Sequence, residues 1–151
     1  MNDVWGIDIS PTRIAIAAYG DTNRYANTWK LDHKVELAQY KGIRDALVSC
    51  AYANGGRPEH ICIERPAYPF LKAAFSAGMV CGRLEDAIFG RWDDVVVRWM
   101  QPAEWRKLAG LSGRATKDEV MAWSFDEGYD PKDQDQADAS AIAFARWNEI
   151  L

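Results

Sequence analysis

Apolar and polar positions follow two different rhythms along this chain. Val4-Trp5-Gly6-Ile7-Asp8-Ile9 is a short apolar run that fits a buried strand over 4–8. Ser10-Pro11-Thr12 makes a turn, and Ile14 and Ile16 support a second strand over 13–19. Gly20-Asp21-Thr22-Asn23 reads as a hairpin turn before a third strand over 24–31. Strands joined by turns this short pair antiparallel. From 34 to 54 the period becomes helical: Val35, Leu37, Ala38, Ile43, Ala46, Leu47 and Cys50 recur at three- and four-residue steps. Gly55-Gly56 and Pro58 end that helix. A fourth strand over 60–64 is apolar up to its acidic end. The stiff loop Arg65-Pro66-Ala67-Tyr68-Pro69 leads into a helix over 70–89. Val95-Val96-Val97 marks a fifth strand within 94–100. Pro102 opens a short helix carrying Trp105 and Leu108; further helices follow over 117–125 and 134–149. This succession of strands and helices predicts one α/β domain over 1–151, a mixed sheet flanked by helices.

Composition narrows the class. A length of 151 residues, 48% hydrophobic and 26% charged, fits one soluble globular domain with a real core. No run is long and apolar enough to span a bilayer, and no signal-peptide pattern opens the chain. Cys50, Cys62 and Cys81 are widely spaced in apolar surroundings, which predicts reduced core thiols in a cytoplasmic protein. His33 and His60 are the only histidines, which argues against a histidine-centred triad. Trp5, Trp99, Trp123 and Trp147 fall in apolar periodic context and are expected in the core.

A net charge of −4 is not the basic footprint of a nucleic-acid binder. That objection weakens if acids gathered at one site are neutralised by metal. Basic residues are grouped over 57–117, but whether they share a face is not set by sequence.

Four carboxylates then change the picture. Asp8 lies inside an apolar strand, Glu64 ends another, and Asp135 and Asp138 open the apolar stretch 139–145. An acid in such a strand is costly unless something neutralises it. A hard divalent cation such as Mg²⁺, which takes oxygen ligands, does so. Two-metal phosphoryl hydrolysis needs a few acids converging on one point. Asp135 and Asp138 face one side of a helix, at an N-terminus whose dipole also favours acids. Asp135 is therefore either a metal ligand or a helix cap.

The motifs that carry these acids resemble the RuvC family of Holliday-junction resolvases. Gly6-Ile7-Asp8 is similar to its opening motif and Ile61-Cys62-Ile63-Glu64 to its second. Asp135-Gln136-Ala137-Asp138-Ala139-Ser140-Ala141-Ile142-Ala143 follows its D-x-x-D-A-x-A-I-A ending. The basic segment from Ser112 to Val120 resembles the loop and helix before that ending. The resemblance spans nearly the whole chain in the same order. It departs after Asp8, where the family's Pro-Gly pair is replaced by Ile9-Ser10 with Pro11 one step later.

The resemblance implies an RNase H-like mixed five-stranded sheet flanked by helices. It implies an endodeoxyribonuclease that nicks four-way junctions and related branched DNA, leaving 5′-phosphates and 3′-hydroxyls. Two Mg²⁺ ions, replaceable by Mn²⁺, would be held by Asp8, shared between them, and by Glu64, Asp138 and Asp135. Lys117 would lie near the scissile phosphate. Arg65 and Lys72 flank the loop after Glu64, and Arg114 precedes Lys117; all three are candidate phosphate contacts. Tyr68 and Phe70, at the edge of the site, would either stack on unpaired bases or anchor the next helix in the core. A homodimer is implied, and the small residues Ala73, Ala74, Ala77, Gly78 and Gly82 offer a candidate interface, although such a face also suits plain packing. A cytoplasmic location is expected, that of a host cell if the gene belongs to a bacteriophage.

Three other readings share some of these features. A RuvX-like nuclease acting on RNA carries the same acids. An actin-like nucleotide-binding domain also presents an acid after its first strand, but it needs glycine-rich phosphate loops absent here and two full lobes. A junction-binding module without catalysis is disfavoured by acids at all three points.

Overall fold

The computed structural model describes residues 3–67 and 70–151. Three strands, β1 (Val4–Ser10), β2 (Arg13–Tyr19) and β3 (Arg24–Lys30), form an antiparallel meander. Helix α1 (Glu36–Ala53) crosses over to β4 (His60–Glu64), which returns parallel to β1. Helix α2 (Leu71–Arg91) crosses to β5 (Val96–Met100), parallel to β4. The sheet order is β3-β2-β1-β4-β5, so β1 is the central strand. Helices α3 (Pro102–Leu108), α4 (Lys117–Asp126) and α5 (Gln134–Ile150) complete the chain. The meander, the crossovers and every expected element are present, with ends shifted by a few residues.

Alternation along the strands sorts side chains onto two faces. Trp5, Ile7 and Ile9 of β1, with Ile14 and Ile16 of β2 and Ile61 and Ile63 of β4, meet α1 and α2 through Ile43, Leu47, Val80, Leu84 and Ile88. The opposite face carries Val4, Ala15, Ala17 and Cys62 and is covered mainly by α5. That face is built for close approach. A Cβ placed on Gly6 would lie 2.2 Å from the Ala139 carbonyl oxygen and 2.3 Å from the Ala143 nitrogen. Glycine in β1 and alanines in α5 thus let helix backbone touch the sheet directly above the strand that holds Asp8. Buried Ser140 ties α5 to α4 through Ser124 at 2.7 Å and satisfies itself on the Ala137 carbonyl.

Cys50, Cys62 and Cys81 are free and buried, and burial pushes the Cys62 thiol up to about 12. Trp5 and Trp147 are core residues as expected, whereas Trp99 and Trp123 are only partly buried. Fully buried Trp105 carried no such expectation. Among the described residues, no helix is long and apolar enough to cross a membrane.

Helix α2 differs from its sequence reading in one respect. Ala77 is buried against the core, so it does not belong to an exposed small-residue face. Gly78 and Gly82 do face outward, with open space where a Cβ would stand among the described residues, so packing against these does not explain them. Beside them Leu71, Phe75 and Met79 recur every four residues, 89%, 68% and 37% exposed.

Candidate active site

Parallel pairing of β1 with β4 fixes the first two acids. Gly6 lies opposite Cys62 and Ile7 opposite Ile63, so the next step sets Asp8 level with Glu64. By alternation both project to the face that α5 covers. Helix α5 then delivers Asp135 and Asp138 from its first turns. All four carboxylates are partly buried. Burial, and then the negative charge of Glu64, Asp138 and Asp135, pushes Asp8 well above the usual carboxylate range; Arg13 opposes this. Burial also raises Glu64 and Asp138. Asp8 thus lies within electrostatic reach of the other three acids.

Among the described residues, each acid except Asp8 has a protein partner. Trp105 Nε1 donates to Glu64 Oε2 at 2.6 Å. Gln134 Nε2 donates to Asp138 Oδ1 at 2.9 Å, one helical turn apart. Arg13 Nε lies 3.2 Å from Asp135 Oδ2. The cap question for Asp135 is also answered: the cap of α5 is Asp133, whose carboxylate accepts from the Gln136 backbone N–H at 2.8 Å and from Thr28 Oγ1 at 3.2 Å.

Oxygen donors alone, held by rigid elements at the edge of solvent, fit a hard divalent cation. Among the described residues, however, no three His, Cys, Asp or Glu side chains are already drawn together at metal-ligand spacing. Like charges repel, and Arg13, Trp105 and Gln134 each hold one acid.

Cations surround the acids. Lys117 opens α4 and is exposed; its charge partly offsets the burial that raises Asp138. Arg106 partly offsets the burial that raises Glu64 and Asp138; its guanidinium sits 5.1 Å over the Trp105 ring and donates to the Gly113 carbonyl at 3.4 Å. Arg65, Lys72 and Arg114 are exposed, and the Arg65 backbone N–H extends the pairing of β4 with β5 by donating to the Met100 carbonyl. Phe70 precedes α2 and is 73% exposed, so it does not anchor that helix in the core. Tyr68 lies outside the described residues. Sequence reading passed over Arg13, Trp105 and Arg106. The one available signal for Arg13 was a charge opening an otherwise apolar strand just after the Asp8 turn.

Two solved structures share this fold. Thermus thermophilus RuvC aligns with a TM-score of 0.75 at 20% identity over 98% of this chain and 95% of that one. T. thermophilus RuvC in complex with a Holliday junction substrate aligns with a TM-score of 0.77 at 19% identity, over 99% of this chain and 95% of that one. The mixed five-stranded sheet flanked by helices is thus the RuvC, RNase H-like fold. No family model matches the chain, and no curated protein matches it.

Proposed function

We propose that this protein is a metal-dependent, structure-specific endonuclease of the RuvC type that cuts four-way junctions and related branched DNA. The observation that carries this reading is the convergence of Asp8, Glu64, Asp135 and Asp138 on one end of a RuvC-like sheet. The likeness to a RuvC bound to a Holliday junction supports the substrate class.

In this reading Asp8, Glu64, Asp138 and Asp135 would together hold two Mg²⁺ ions. When bound, the cations supply charge neutralisation and an activated water for in-line attack at phosphorus. The water oxygen joins phosphorus, the bond to the 3′ oxygen breaks, and that oxygen takes a proton, leaving a 3′-hydroxyl and a 5′-phosphate. The protein's own groups position the strand. Lys117, in the field of Asp138, meets the scissile phosphate; Arg65, Lys72 and Arg114 take neighbouring phosphates. Exposed Phe70, with Tyr68, stacks on bases left unpaired at the junction.

Two matched nicks need two sites related by symmetry, which a two-fold homodimer supplies. The exposed stripe Leu71, Phe75, Gly78, Met79 and Gly82 on α2 is the interface in this reading. Apolar anchors flank two glycines whose missing side chains admit a second helix.

Incubation with a labelled four-way junction, a flap, a duplex and a structured RNA tests the assignment. The expected result is paired nicking of the junction with Mg²⁺ or Mn²⁺, binding without cutting in Ca²⁺, and no cutting in EDTA. Asp8→Asn should abolish cutting and leave junction binding intact. Preferential cleavage of the RNA, or efficient cleavage in EDTA, would overturn the proposal.

A further inference from the structure

We propose that Arg13 is a displaceable counter-ion: in the metal-free protein its guanidinium occupies Asp135, and metal loading expels it to a DNA phosphate. The inference rests on the metal-dependent reading above and adds a regulatory element to that site.

Arg13 opens β2 directly across from Ser10, whose hydroxyl accepts its backbone N–H at 3.2 Å. The tight turn over Pro11 and Thr12 therefore fixes its backbone beside Asp8. Its register neighbour on the same face is Ala15, which pairs with Asp8 itself. The side chain is 52% exposed, whereas that of Asp135 is 25% exposed. One partner is held by the protein and the other is free to swing into solvent. Among the described residues, Arg13 is the only cation within ion-pair distance of any of the four acids. Asp135 is released from capping by Asp133, so its carboxylate is available for exchange.

A half-exposed ion pair is weak, on the order of 0–1 kcal/mol, so a divalent cation that also gains the other acids displaces it. The guanidinium so freed keeps its charge and its planar fork, which suits a phosphate. Exchange has a thermodynamic signature. If Arg13 and the metal compete for Asp135, removing Arg13 tightens metal binding. If Arg13 instead holds Asp135 in position as a ligand, removing it weakens metal binding. The sign separates the two.

Calorimetric titration of Mn²⁺ into the full-length protein without DNA reads that sign. Arg13→Gln should bind Mn²⁺ up to about fivefold more tightly than the wild type, and Arg13→Lys should stay close to wild type. With Ca²⁺ saturating, Arg13→Gln should bind a four-way junction more weakly, and the salt dependence of binding should lose about one phosphate contact. Weaker or unchanged Mn²⁺ binding by Arg13→Gln would overturn the exchange. Asp8→Asn in the same titration keeps the two levels apart. Loss of Mn²⁺ binding there upholds the metal site whatever Arg13 does, and wild-type binding there overturns the metal site itself.

Discussion

The indole N–H of Trp105 donates to Glu64 Oε2 at 2.6 Å, and Trp105 is completely buried. A short helix that bears none of the four acids therefore sets the orientation of one of them. Hydrogen bonds from outside a ligand set fix its geometry and raise its affinity. Trp105→Phe keeps most of the packing and removes the donor. It should weaken Mn²⁺ binding about tenfold and cost about 1.5–3 kcal/mol of metal-free stability. Titration calorimetry and denaturant melts check both. In Glu64→Gln the same substitution should cost less, because the charge that strengthens the bond is gone.

The raised carboxyl groups of Asp8, Glu64 and Asp138 predict a pH dependence. A carboxyl whose folded pKa exceeds its unfolded value binds more protons in the native state. Stability from these groups is therefore present below their ordinary values of 3.8 to 4.5 and is lost as pH rises toward the folded values. Metal-free protein should gain stability from Asp8→Asn at pH 7, by at least about 2–4 °C in melting temperature. The gain should vanish below pH 3.8, where Asp8 is protonated in both states. Melts in EDTA across pH test this. Saturating Mg²⁺ should reverse the order at pH 7, because it stabilises the wild type and not the variant.

Gly6→Ala should prevent folding. The new methyl group would collide with α5 backbone at Ala139 and Ala143, and neither main chain can yield without lifting the helix off the sheet. A loss of more than about 4 kcal/mol is expected, read as insoluble expression or a collapsed denaturant midpoint. Soluble protein with a near-normal midpoint would show that α5 sits further from β1.

Gly78→Ala separates the chain's own stability from its self-association. Among the described residues nothing stands near Gly78, so alanine should raise monomer stability by about 0.5–1 kcal/mol, as in any exposed helix. If a second α2 lies against this face, the same methyl group should weaken the dimer. Gly78→Arg should yield a folded monomer that nicks junctions singly. Sedimentation at several concentrations, alongside melts, reads both effects.

Element order, strand pairing and the four acids were legible because each rests on local pattern. Hairpin turns force antiparallel pairing, a crossover helix returns beside the first strands, and an acid in an apolar strand signals a partner. What escaped is relational. Trp105 reaches Glu64 across 41 positions, and Arg13 reaches Asp135 from the opposite end of the chain. No local period encodes either contact. Asp133, to which the sequence reading gave no role, caps α5 in place of Asp135. The outward glycines of α2 had been open to a plain packing explanation, because small residues at helical spacing look alike whether they face a sheet or solvent.

The close fit of α5 over β1 also orders events during synthesis. Asp8 and Glu64 emerge early, but Asp135 and Asp138 are translated last among the acids and seat only when α5 docks on finished strands. A nascent chain from which α5 has not yet emerged therefore holds only half of the acid cluster. On the proposed function, a chain in which α5 has not docked, or that is truncated before α5, would be inert toward nearby nucleic acid.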